Sequence, residues 1–204
     1  VLIKKGDTKV ALYGLANVRD ERLNRAWTQK NVKFVTPEDG TEDWFNIFTL
    51  HQNRDYGRGK KNCIHEHMLP EFLDLVIWGH EHECIIKPQW STNEEFAVRR
   101  CHLPFFSSLH THSHTCTHTQ ILQPGSSVAT SLSDGEEVPK HVGLLQIKGE
   151  RFKVDPIKLK TVRPFLLKEV ALIDHLDPMS SDLHEEIEKF LSETVQEMLH
   201  KHEE

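Results

Sequence analysis

The chain has 204 residues, 37% of them hydrophobic and 27% charged, with a formal net charge of −6 and a mean hydropathy of −0.51. That length accommodates one large domain, or one domain with a small appendage. The acidic balance excludes a globally basic nucleic-acid binder, so any such surface has to be local. The apolar runs are too short for a membrane span, and no membrane partner is expected.

The four cysteines, Cys63, Cys84, Cys101 and Cys116, form no C-x-x-C pair. That spacing predicts reduced thiols in an intracellular protein. The chain opens on Val1 and enters structure almost at once, so it reads as a piece cut from a larger domain or a translation lacking its true start.

Thr8 to Leu15 reads as a strand and Asp20 to Gln29 as a short helix. Asp20 is its candidate N-cap, and Leu23, Ala26 and Trp27 form its apolar stripe. Val32 to Val35 reads as a further short strand, before the turn signal Pro37-Glu38-Asp39-Gly40. Trp44 to Leu50 is a buried-strand candidate that ends in His51. The loop from Asp55 to Lys61 carries Arg58, Lys60 and Lys61 with two glycines. It reads equally as a phosphate-contacting loop and as a solvated flexible one. His65-Glu66-His67 follows no strand and decorates a helix start; the helix itself is predicted over Met68 to Leu73.

The densest signal is Asp74-Leu75-Val76-Ile77-Trp78-Gly79-His80-Glu81-His82. Four consecutive large apolar residues suit a central strand covered on both faces. Gly79 is expected to let the backbone turn. His80 and His82, two residues apart, would project the same way from an extended segment. Two apolar strands that each deliver histidine at the C-terminal end form a βαβ unit. That unit brings His51 towards His80 and His82, at the strand ends where open α/β sheets place their chemistry. The three imidazoles are therefore the candidate metal ligands.

Beyond Ile85-Ile86 and a strand-like Glu95 to Val98, the character changes. Residues 99–120 include a run, His110 to Thr119, in which His and Thr largely alternate as a CA dinucleotide repeat would encode, and they read as a low-complexity insertion. A His/Cys metal tract is the rival reading. Order returns at the turn Gln123-Pro124-Gly125-Ser126-Ser127. Val142–Ile147 and Phe152–Leu159 flank Gly149-Glu150, a hairpin signal, and Pro156 points to an edge strand. A further strand is expected within Val162 to Ile173. Asp182-x-x-Glu185 is a capping pair for an amphipathic helix carrying Leu183, Ile187, Phe190, Leu191, Val195, Met198 and Leu199.

Several words of this sequence resemble the meiotic recombination eleven (Mre-eleven) double-strand-break repair nucleases of eukaryotes, members of the calcineurin-like metallophosphoesterases. They are Lys-Val-Ala-Leu-Tyr-Gly-Leu (9–15), Asp-Glu-Arg-Leu (20–23), Trp-Phe-Asn-Ile-Phe-Thr-Leu-His-Gln-Asn-Arg (44–54), Asp-Leu-Val-Ile-Trp-Gly-His-Glu-His-Glu-Cys (74–84), Gln-Pro-Gly-Ser-Ser-Val (123–128) and His-Val-Gly-Leu-Leu-Gln-Ile-Lys-Gly (141–149). The resemblance implies an α/β (α+β) fold: a partial metallophosphoesterase β-sandwich with flanking helices, followed by a small α/β capping domain. The corresponding division is 1–98 and 121–164 for the metallophosphoesterase part, 99–120 for the insertion, and 165–204 for the start of the DNA-binding capping domain.

The resemblance also implies a manganese-dependent DNA nuclease, 3′–5′ exonuclease and endonuclease, working in the nucleus in double-strand break repair and meiotic recombination. Two manganese ions would be the cofactors, with His51, His80 and His82 as ligands. Apart from the resemblance, the basic loop makes Arg58, Lys60 and Lys61, with Arg54 ahead of them, the candidate DNA contacts. The implied partners are DNA, an SMC-like coiled-coil ATPase (Rad-fifty), nibrin and a second copy of the chain. A family site also needs an N-terminal Asp-x-His, a bridging aspartate and an Asn-His pair. The residues ahead of Trp44 supply none of these, so the chain as given is expected to be catalytically silent. The alternative is a non-catalytic DNA- or partner-binding module.

Overall fold

The computed structural model describes residues 1–55, 57, 59–91 and 119–203. The chain divides into two compact units, Val1–Arg163 and Pro164–Glu204. The first is mixed α/β. Among the described residues its strands are β1 (Leu2–Lys5), β2 (Thr8–Gly14), β3 (Phe45–His51), β4 (Leu75–Gly79), β5 (Ile85–Trp90), β6 (Gln120–Gln123), β7 (His141–Lys148) and β8 (Arg151–Lys158), and its α-helix is α1 (Asp20–Thr28).

Six strands form one sheet in the order β1-β2-β3-β4-β6-β5. β2, β3, β4 and β6 run parallel, while β1 and β5 close the two edges antiparallel. Side chains alternate across each strand. Phe48 and Leu50 of β3, Val76 and Trp78 of β4 and Ile121 of β6 face the layer that contains Leu23 of α1. Phe45 and Ile47, Leu75, and Leu122 face the other way, towards Leu145, Ile147, Phe152 and Val154 of the β7–β8 hairpin. A parallel sheet has to be covered on both faces, which is why β3 and β4 read as unbroken apolar runs. Each fully buried side chain of this size contributes roughly 1.5–3 kcal/mol. Trp78 is wholly enclosed, and its indole N–H donates to the Gln52 carbonyl at 2.9 Å.

The hairpin forms as expected around Gly149-Glu150, with Gly149 at φ 58°. Two expected elements do not form, and an expected cap does not. Val32 to Val35 is irregular, because β1 already occupies the flank of β2. Phe34 packs instead edge-on against Tyr13, Phe48 and Phe72. The helix over Met68 to Leu73 shrinks to one 3-10 turn, Glu66–Met68. Pro70 forces Leu69 into extended backbone, at φ −72° and ψ 141°, and so ends the turn. Asp20 does not cap α1, whose N-cap is Arg19.

Strand-like Glu95 to Val98 and the His/Thr tract up to residue 118 lie outside the described residues. Gln120, expected in that tract, opens β6, and just before it the Thr119 hydroxyl donates to the Leu73 carbonyl.

In the second unit, Val162 to Ile173 forms no strand; Leu172–Asp174 is a 3-10 turn. Pro164 removes a backbone donor there. The C-terminal helix, α2, spans Leu183–Glu203. Glu186, rather than Glu185, reaches back at its start, accepting from the Ser180 hydroxyl at 2.9 Å. Phe190 stacks on His175 at 4.7 Å, while Leu191, Val195 and Leu199 remain exposed.

Candidate metal centre at the ends of two parallel strands

β3 and β4 are parallel neighbours whose register sets His51 opposite Gly79. A side chain at position 79 would bring its Cβ to 3.0 Å from His51 Nδ1 and 3.2 Å from the Leu50 carbonyl. A methyl there would press on both, so glycine leaves the His51 ring its room. The turn falls one residue later, on His80, at φ 81°. The expectation that Gly79 makes the turn, with His80 and His82 on one extended segment, is corrected: β4 ends before His80. A non-glycine residue in the left-handed region costs roughly 1–3 kcal/mol, held by its surroundings.

Those surroundings can be named. Glu81 points inward, and its carboxylate accepts the Arg54 amide at 2.7 Å. The His51 carbonyl accepts from Asn17. Gln52, 1% exposed, binds both the amide and the carbonyl of Val18. The Asp20 carboxylate, expected at the head of α1, instead accepts from Gln52 and from the amide and side chain of Asn53.

His51 and His80 meet. His80 Nδ1 lies 3.4 Å from His51 Nε2, and the ring centroids are 5.1 Å apart at 74°. His82 turns elsewhere: its Nδ1 lies 2.7 Å from a carboxylate oxygen of Glu136. Glu136 also accepts from the Thr130 and Ser131 amides, the Ser126 hydroxyl and Lys140 Nζ, at 2.8 to 3.0 Å. Burial pushes the Glu136 pKa up, but Lys140, the two amides and His82 outweigh it and hold the carboxyl far below the ordinary carboxylate range. Against an ionised acceptor Nδ1 of His82 carries a proton, and in the neutral imidazole Nε2 then keeps its lone pair. Metal-ligating histidines commonly carry such a carboxylate on the nitrogen away from the metal. The His82 carbonyl is fixed too, by Ser126 and Lys140. Gly125, at φ 72°, allows the close approach: a Cβ there would stand 2.6 Å from that carbonyl.

A cavity of about 280 Å³ opens between these turns, lined by His80, Glu81, His82, Glu83, Ser131 and Ser133. Thus His80 and His82 share a cavity, and His51 touches His80. Among the described residues, however, the three imidazoles do not form a group whose ligand atoms all lie within 4.8 Å of one another. The chain's own donors fit the imidazole part of a divalent-cation site. Manganese prefers oxygen ligands besides imidazole, and Glu81 and Glu136 are already engaged.

Of the residues expected to contact DNA, Arg54 is inside the protein. Its guanidinium pairs with Glu66 at 2.7 Å, donates to Gln123 at 3.0 Å and lies over the Trp78 ring at 5.7 Å. Lys60 and Lys61 are exposed on the β3–β4 loop, and Arg58 lies outside the described residues. Glu136 and Lys140 were not identified from sequence. They sit in a polar, turn-rich stretch, and their partner His82 is 54 residues away from Glu136.

Residues 152–204 match the family described as Mre11 DNA-binding presumed domain. Over 204 residues the chain is 45% identical to the double-strand break repair protein mus-23 of Neurospora crassa, covering 98% of this chain and 24% of that protein. It is 43% identical to the double-strand break repair protein MRE11 of Homo sapiens, over 98% of the chain and 25% of that protein. With MRE11 of Oryza sativa subsp. japonica it is 49% identical, over 89% and 23% respectively. The chain spans about a quarter of the length of these curated relatives. It belongs to the family of the MRE11 double-strand break repair proteins.

Proposed function

We propose that this chain supplies the imidazole half of a manganese-dependent DNA nuclease site, with His51, His80 and His82 as ligands, together with a DNA-facing segment from residue 152 onward. The observation that carries this reading is the Glu136–His82 contact. A buried, ionised carboxylate on Nδ1 fixes the tautomer that presents Nε2 to a cation. The contact between His80 and His51 adds a second pair of nitrogens close enough to chelate. Bound metal would polarise the phosphodiester and lower the pKa of a water nucleophile.

The chain's own residues then act as positioners. Gly79 keeps the slot for His51 open, Glu81 ties the turn to Arg54, and Glu136 with Lys140 holds His82. The oxygen ligands and the leaving-group acid have to come from residues other than these histidines. In this setting the working partners are DNA, an SMC-like coiled-coil ATPase (Rad-fifty), nibrin and a second copy, in the nucleus. The match of residues 152–204 to a DNA-binding family favours a second reading, a module that binds DNA without cutting it.

The test is manganese titration of the 204-residue chain, followed by the loss of the free-ion electron paramagnetic resonance signal, beside an exonuclease assay. Manganese binding that weakens in His80→Ala, with no cleavage by either protein, is the expected result. Binding unchanged in His80→Ala would refute the ligand assignment. Cleavage by the chain alone, abolished in the variant, would show that the histidines suffice.

A further inference from the structure

The loop between β3 and β4 holds a second group of donors, away from the strand-end histidines. Among the described residues, Asp55, Cys63 and His65 are the group of three whose ligand atoms all lie within 4.8 Å of one another. His65 Nδ1 lies 3.1 Å from an Asp55 carboxylate oxygen, and its Nε2 lies 3.8 Å from Cys63 Sγ and 2.8 Å from the Lys60 carbonyl oxygen. A neutral imidazole has one N–H, so it cannot donate to both oxygens. In that neutral form one ring nitrogen faces an oxygen lone pair, an arrangement that a proton or a bound cation relieves.

The frame of this loop is fixed from inside. Buried Asn24 donates to the carbonyls of Lys60 and Cys63, and Ile64 donates to the Asn53 carbonyl. Cys63 is fully buried, while Asp55 is exposed and opens the group to solvent. Burial raises the Cys63 thiol pKa, as do the negative charges of Asp55 and Asp20.

We propose that Asp55, Cys63 and His65 form a zinc-type divalent-cation site in the β3–β4 loop. Thiolate, imidazole and carboxylate together select zinc over magnesium or calcium. Tetrahedral zinc sets its ligand atoms about 3.3–3.6 Å apart, so a group already within 4.8 Å closes by about 1.5 Å at most. On binding, the Cys63 proton passes to solvent and a sulphur–metal bond takes its place. The site would staple a loop that joins two strands through a single 3-10 turn, and it does not depend on the strand-end histidines.

Cobalt(II) is the probe, because a thiolate ligand gives it a ligand-to-metal charge-transfer band that a site made of histidines lacks. The 204-residue chain should carry Cys101→Ser and Cys116→Ser, which removes the thiols of the His-rich tract. The expected band saturates at one equivalent, is displaced by zinc, persists in His80→Ala and Cys84→Ser, and disappears in Cys63→Ser. Absence of the band, or its survival in Cys63→Ser, would overturn the proposal. Should Cys63→Ser lose its circular dichroism, Asp55→Asn at the surface decides. Cobalt affinity should fall about 10-fold or more, and an unchanged affinity overturns the site.

Discussion

His82 and the pair His51–His80 lie beyond the same end of the sheet, yet they are held in opposite ways. His82 rests on a carboxylate whose side chain is 0% exposed, itself paired with an ammonium that is 3% exposed. His51 and His80 rest on each other and on the missing side chain of Gly79. One half of the site is positioned by buried charge and the other by free volume. The two should therefore fail differently.

The largest expected effect is on the charged half. Glu136→Ala leaves Lys140 buried without its partner, and breaking a buried pair from one side costs about 3–5 kcal/mol. Urea unfolding measures it, and a loss below about 1 kcal/mol would mean that the pair behaves as a surface ion pair. Gly79→Ala tests the other half. Overpacking against the His51 ring and the Leu50 carbonyl should cost about 1–3 kcal/mol, and part of that cost should vanish in the double variant with His51→Ala. If the two changes simply add, the slot is not set by the imidazole.

The smallest effect is a matter of pH. The folded-state pKa of Glu136 is depressed below its unfolded value, so its contribution is complete above the unfolded pKa, about 4.5, and declines as pH falls further. The wild-type chain should lose stability below that pH with a steeper slope than Glu136→Gln. Equal slopes in acid titrations of the two would remove Glu136 from the account.

The parallel pair β3–β4 and the placing of histidine at both strand ends were legible in the sequence, because an unbroken apolar run and a strand end are local signals. Asp20 shows where such reading stops. Its position at the head of α1 looks like a cap, but its carboxylate is used by Gln52 and Asn53, more than thirty residues along the chain. Glu136 was illegible for the same reason, since only the folded chain brings it under His82. Arg54 was expected among the DNA contacts, with Arg58, Lys60 and Lys61. The sheet folds it over Trp78 and against Glu66. Pro70 was the exception, a local signal whose force against helix was under-weighted.

The backbone at His80 carries one further implication, for anyone redesigning this chain. At φ 81° a glycine would relax the local geometry by about 1 kcal/mol, so an optimiser rewarded only for thermal robustness would rewrite that position first. It would thereby erase the imidazole that touches His51. Position 80 is a place where foldability and chemistry are rivals, and selecting variants for heat resistance alone would steer away from whatever chemistry the strand ends perform.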